Sequence, residues 1–356
     1  MKLRRRKKDK KSKMTNKKKI TLLAIGLVIA ALSVLGIHYY LNPDKLPDWI
    51  PTPEPERRLN IVDINSKTRS FAVMIDNHPS ARRNHAGLQD AIIIYEIVVE
   101  GGMSRYLAIY KDADKTERIG PVRSARHYYL DYALENDAIY VYHGQSPQAA
   151  ADFSTLNIDR IVVGNNNGWR DRTLGISSEH TLFTSFERLK NSMGNIRAET
   201  NQKLLLNYSI DEINLSEMEG AKVANNVTVR YPAVISHYEF DAEAKVYKRS
   251  VAENRGAMRP HADGVTGRQF TFKNIIVYQV ENHNLSGGGG GRQDLRNVGE
   301  GEGYFITNGF AVPITWSKSS RSAQTVYKHL DGREINVNDG NTFIQIQPKG
   351  RELTIE

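Results

Sequence analysis

The stretch 95–129, YEIVVEGGMSRYLAIYKDADKTERIGPVRSARHYY, decides how this chain is read, because it gathers the paired carboxylates Glu96 and Glu100, several arginines and its most constrained turns into one span. Ile92, Ile94, Glu96, Val98 and Glu100 alternate as one face of a strand. The pair Gly101-Gly102 then predicts a two-residue hairpin turn, since both glycines accept positive φ. With a return strand over 103–110, Val98 faces Arg105 and Glu100 faces Met103, which puts Arg105 on the face of both glutamates. A helical reading would still keep Glu96 and Glu100 together, at i and i+4.

Downstream, Gly120-Pro121-Val122-Arg123-Ser124-Ala125-Arg126 predicts a tight turn feeding a helix that runs to about Glu135, with Pro121 just inside its start. Arg123 and Arg126, three apart, then leave the same side of the first turn, where cations oppose the positive end of the helix dipole. Something negative must answer them. It is either internal, with Glu96, Glu100 or Asp76 as partners, or external, a phosphate or carboxylate held by arginine forks.

The net charge of +9 is misleading about partners. Residues 1–19 carry 12 Lys or Arg and one Asp, and the remainder holds 37 basic against 39 acidic residues. The folded part is thus nearly neutral, with no basic stripe of the kind that tracks a nucleic acid. Residues 20–41 form an apolar run long enough to span a bilayer as a single helix. The basic residues before it put the N-terminus in the cytoplasm and everything after residue 42 outside the cell, in a single-pass topology. The run is longer than a usual signal-peptide core and no clear A-x-A site follows, so an uncleaved anchor is expected. With no cysteine, disulfides, thiolate metal sites and a lipid-bearing cysteine are excluded.

Along the chain the expected order is a basic tail (1–19), the anchor (20–41), a Pro-rich spacer (42–58), an α/β or α+β domain (59–206), a connector (207–224) and a mostly antiparallel β domain (225–350). In the first domain, strand 71–75 runs into Asp76-Asn77 and strand 137–142 into His143-Gly144-Gln145-Ser146-Pro147, positions where open α/β sheets carry sites. Ser146 suits an N-cap for a helix over 148–156. A polar loop at 164–175 precedes a helix over about 179–193. In the second domain, Asp331-Gly332 and Asp339-Gly340 predict hairpin turns, and the five glycines 287–291 read as a surface loop.

Asp76-Asn77, Tyr95-Glu96 followed by Glu100-Gly101-Gly102 and Arg105, GPVRSAR at 120–126, the run 140–149 around His143-Gly144 and Ser146-Pro147, and His180 together resemble the YerB-like family of bacterial envelope proteins. Tyr238 to Arg249, Gly291-Arg292, Gly299-Glu300-Gly301, Trp316-Ser317-Lys318 and Gly340-Asn341-Thr342 are similar to the motifs of its C-terminal domain. The resemblance implies an envelope location and no particular reaction. Many relatives are lipoproteins, so here a helix replaces the lipid.

Two functional classes fit these residues. One is a tethered module that binds an anionic wall polymer or an envelope protein. The other is an enzyme on a phosphorylated or carboxylated substrate: Arg105, Arg123 and Arg126 clamp the anion, Glu96 or Glu100 serves as base or metal ligand, and Asp76 assists, with a divalent cation as the one cofactor it would use; His143, beside a turn, is a separate candidate for a general base. That second arrangement is similar, by analogy alone, to the LytR-CpsA-Psr polymer transferases. Asn77, Gly120, Ser124, Gln145, Ser146 and His180 are the supporting candidates. His78, His85, His180 and His261 lack metal-ligand spacing, so no metal site is assigned.

Overall fold

A computed structural model describes residues 15–42, 58–253, 256–285 and 291–356. Most of the basic tail, nearly all of the Pro-rich spacer and four of the five glycines lie outside the described residues. The chain divides into two compact units, residues 1–57 and 58–356. The first holds helix α1 (Asn16–Leu41), 26 residues with none buried and a mean hydropathy of 2.7 over its most apolar window, long and apolar enough to cross a membrane.

The second unit is built on a mixed sheet. Strands β1 (Phe71–Asp76), β2 (Ile93–Val98), β3 (Ser104–Tyr110), β4 (Ile139–Tyr142) and β5 (Arg160–Val162) come from its first half. The second half contributes β6 (Asn226–Arg230), β7 (Val234–Asp241), β8 (Val246–Glu253), β9 (Asn274–Val280), β10 (Gly299–Thr307), β11 (Phe310–Lys318), β12 (Val326–His329), β13 (Thr342–Pro348) and β14 (Leu353–Ile355). An α/β first region and a mostly antiparallel second region are both present. They are not separate in their hydrogen bonding, however. The large sheet runs β12-β11-β10-β9-β13-β2-β3-β1-β4-β5, and the two halves join where β13 pairs in parallel with β2, Gln345 opposite Glu96.

Strands such as FAVMID in β1 are buried at every position, as expected of a sheet covered on both faces. One cover is helical. Helices α3 (His127–Glu135) and α4 (Pro147–Thr155) sit on this side, and Tyr95 reaches out of β2 to Glu135 at 2.7 Å. The other cover is a smaller antiparallel sheet containing β8-β7-β6-β14. Phe343 of β13 meets Tyr106, Tyr238 and Phe272 edge-on between the two sheets, the offset geometry that aromatic quadrupoles favour.

Several sequence expectations are corrected. The Gly101-Gly102 turn is not a two-residue hairpin: residues 100–102 form a 3-10 turn, Val99 N–H bonds to the Met103 carbonyl, and Val98 faces Ser104 while Ile97 faces Arg105. This one-residue shift in register moves Arg105 to the face opposite Glu96, because side chains alternate with period two. The segment 120–126 is not a helix start. It crosses the strand ends in extended form, with Arg123 N–H on the Met74 carbonyl and Ala125 N–H on the Gly144 carbonyl, and α3 begins only at His127. The helix expected over 179–193 is shorter, α5 (Phe186–Asn191), capped by Ser185, which leaves Glu179 and His180 on a separate short turn. Asp339-Gly340 does not close a hairpin, since β13 beyond it pairs only in parallel; the Asp339 carboxylate instead accepts the Asn60 and Ile61 N–H groups. Within 207–224, Asn207–Ser209 pairs with Asn336–Asn338, and Lys222–Val223 joins β11.

Candidate functional site

The polar residues singled out from the sequence separate into two assemblies on opposite faces of the large sheet. On the helical face, Asp76 ends β1 directly across from Arg105, which opens the return of β3. The strap 120–126 lies over these strand ends and carries Arg123 and Arg126. Arg126 donates to both oxygens of Glu100, at 2.5 and 2.9 Å, a bidentate fork. Arg105 donates to the Ser124 carbonyl at 3.0 Å and approaches Glu100 at 3.9 Å. Arg123 lies 3.4 Å from Asp76 through Nε, while its outer nitrogens donate to the Glu179 carboxylate at 2.7 Å and the Glu179 carbonyl at 3.0 Å. His180 Nδ1 is 2.6 Å from the same Asp76 oxygen, Oδ2, that Arg123 approaches, and its ring stacks on His78 at 4.5 Å.

These contacts set the protonation of the cluster. Burial pushes the Asp76 carboxyl up, but the His180 bond, Arg123, the His78 N–H and Arg105 together bring it below the ordinary carboxylate range. Glu100 follows the same pattern, its burial outweighed by Arg126 and then Arg105. Burial first, then the charge of Arg126, lowers the Arg105 guanidinium against the pull of Glu100 and Asp76. His78 is lowered as well, by burial and by His180, with Arg123 adding to it. The helical face is thus locally rich in positive charge.

On the opposite face, Glu96 is fully buried. Its carboxylate accepts from Ser104, Asn77, Ser236, Gln345 and Arg249, the last an ion pair at 2.8 Å with neither side chain exposed. Asn77 belongs here too, accepting Arg82 Nε at 2.9 Å through Oδ1. Arg249 also donates to His261 Nδ1 at 2.6 Å, and His261 Nε2 is 2.7 Å from His85 Nδ1. His85 Nε2 in turn contacts the Asp76 carbonyl. Because a guanidinium only donates, the direction of the whole chain follows: each imidazole accepts at Nδ1 and donates at Nε2, and both are neutral.

Glu96 is therefore no candidate base. Every lone pair of its carboxylate points at a donor inside the protein, and the sheet separates it from the arginines it was expected to meet. The expected cleft between glutamates and arginines is replaced by ion pairs, and the surface cavities of about 940 Å³ beside β10 and 680 Å³ beside α2 (Pro79–Arg82) are lined by other residues. His143 Nδ1 donates to the Val163 carbonyl at 2.7 Å and Nε2 receives Arg170 at 3.0 Å, so both ring nitrogens are engaged. Ser146 caps α4 through the Ala149 N–H at 3.2 Å. Gln145 is exposed, with its backbone bridged to Ala125. Gly120 is needed for its backbone, at φ 145°, where a Cβ would sit 2.9 Å from the Leu182 carbonyl. Among the described residues, no group of three or more His, Asp or Glu side chains is arranged to hold a metal ion.

Sequence reasoning missed Arg249 as the partner of Glu96. A signal was available: Tyr247, Arg249 and Val251 share one face of β8, so a cation stands in the buried row. It also missed Glu179, hidden by the expected helix, and Arg170, which lies in the polar loop 164–175.

Residues 59–199 match the family model described as "Protein of unknown function (DUF3048) N-terminal domain", and residues 227–344 match its C-terminal domain. The chain is 29% identical over 298 residues to the Bacillus subtilis (strain 168) protein named "Putative lipoprotein YerB", covering 80% of this chain and 82% of that one. The crystal structure of YerB protein from Bacillus subtilis superposes with a TM-score of 0.67 at 25% identity, over 81% of this chain and 94% of that chain. The apolar N-terminal helix and the name of this relative both point to membrane association.

Proposed function

The chain belongs to the YerB-like DUF3048 family, and from that premise we propose that it is a single-pass envelope protein whose outer domain binds an anionic group of the cell envelope at the Arg105–Arg123–Arg126 cluster. The basic residues before α1 support a cytoplasmic N-terminus and an extracytoplasmic second unit. The alternative of a carboxylate-driven, metal-assisted transferase loses its support with Glu96 and Glu100 committed to arginines.

One observation carries the binding reading. Three guanidinium groups stand at one strand end against two inward carboxylates, Asp76 and Glu100, so the third positive charge is answered only at the surface, by Glu179, whose side chain is 54% exposed. A cation desolvated on one side and open on the other is a receptor for an anion. The test is equilibrium binding of phosphate-bearing and carboxylate-bearing wall fragments to the full chain in phosphatidylcholine nanodiscs. Retention that is lost in Arg123→Ala supports the reading, and equal retention by both proteins, or by neither, refutes it.

A further inference from the structure

We infer that Glu179 is the protein's own occupant of this anion seat, and that a ligand phosphate or carboxylate binds by displacing it from the outer edge of Arg123, between Arg123 and Arg170. The inference rests on the reading above and adds the position of the ligand and the group that competes with it.

Arg123 offers two edges. The inner one, Nε, faces Asp76, which is nearly buried and anchored by His180 and the His78 N–H. The outer one, Nη1 and Nη2, is taken by residue 179 alone, through its carbonyl and its carboxylate. The Glu179 carboxylate meets this edge through one oxygen, on Nη2, while its own carbonyl holds Nη1, so an incoming anion oxygen takes the place of that carboxylate oxygen on Nη2.

Arg170 makes the seat more than a single ion pair. Its Nη1 donates to the Ser178 carbonyl and its Nη2 to His143, and among the described residues no carboxylate lies within ion-pair distance of it. Arg105, Arg123 and Arg126 pair with the three carboxylates Asp76, Glu100 and Glu179, and Arg170, held on the Ser178 carbonyl of the same turn, adds a fourth guanidinium, so the excess is positive with Glu179 in place. Glu179 is also the group most easily moved. It rides on a three-residue 3-10 turn, Ser178–His180, whose preceding Ser177 makes no side-chain cap, whereas Asp76 is part of β1 and Glu100 is held bidentately. Exchange of the Glu179 carboxylate for another anion leaves the buried charges undisturbed, and so avoids the penalty of uncovering Arg123.

An internal competitor lowers apparent affinity by the fraction of molecules in which the seat is free, so removing it should tighten binding about tenfold if Glu179 fills the seat nine-tenths of the time. The experiment titrates inorganic phosphate and, separately, acetate into the full chain in phosphatidylcholine nanodiscs by calorimetry. Glu179→Gln is expected to bind at least one of them about tenfold more tightly than the unmodified chain, the tighter of the two naming the ligand class. Glu187→Gln, on the exposed side of α5, serves as a control for net charge and should leave the affinity unchanged. Unaltered affinity in Glu179→Gln, or an equal gain in Glu187→Gln, overturns the inference while leaving the anion site standing if Arg123→Ala still abolishes binding. Binding that ignores Arg123→Ala removes both. Circular dichroism of each variant confirms that the fold is retained.

Discussion

The guanidinium of Arg249 donates to Glu96 Oε2 at 2.8 Å with neither side chain exposed, and this pair joins the two sheets across the interior. Glu96 comes from β2 near the start of the folded unit and Arg249 from β8, so the contact ties the two family-matched segments together, as the β2–β13 pairing also does.

Breaking that pair on one side is expected to be expensive. Glu96→Gln leaves Arg249 a buried cation without a counter-charge, a loss of about 3–5 kcal/mol. Urea unfolding should show the midpoint falling with little change in slope. Phosphate binding at Arg123 should survive in the folded fraction, because the sheet lies between the two assemblies.

The two buried histidines predict a loss of stability in acid. Burial, opposed by the Asp76 carbonyl and aided by Arg82 and Arg249, pushes His85 down to about 3, and burial with Arg249, His85 and Arg82 holds His261 far below its ordinary value. Below the unfolded value of about 6.5 the unfolded chain takes up protons that the folded one refuses. Their contribution is therefore complete above that pH and declines as the pH falls toward the folded values, by about 1.4 kcal/mol per pH unit for each histidine. Chemical denaturation between pH 7 and pH 4 reads this slope, and His85→Gln with His261→Gln should flatten it.

Gly101 and Gly102 should differ in tolerance, although both hold positive φ, 66° and 71°. A Cβ on Gly102 would lie 2.6 Å from Pro232 Cβ, whereas one on Gly101 meets nothing within 4 Å. Gly101→Ala should lose only the left-handed penalty of about 1–2 kcal/mol. Gly102→Ala should lose that and a further ~1–3 kcal/mol of overpacking against the loop from the second half. Thermal melts of the two variants compare them directly.

The absence of cysteine allows a clean test of orientation. Ser319→Cys, at an exposed position after β11, should react with a membrane-impermeant maleimide on intact cells, and Ser12→Cys in the basic tail should react only after permeabilisation. The reverse pattern would place the folded unit inside.

What the sequence determined by itself is what depends on composition and local pattern: an apolar segment of bilayer length behind a basic tail, an α/β half followed by a β half, the Ser146 cap and the motifs of the family. Such features are carried by neighbouring residues, through hydrophobicity, periodicity and turn chemistry. Only the tertiary structure decided which polar groups meet. A three-residue turn in place of a two-residue one shifted a register by one and sent Glu96 to one face and Arg105 to the other. The partner of Glu96 lay 153 positions away, and that of Arg123 lay 56 positions away, on a turn where a helix was expected. Distances of that kind are set by how sheets stack and straps cross strand ends, which local sequence does not encode.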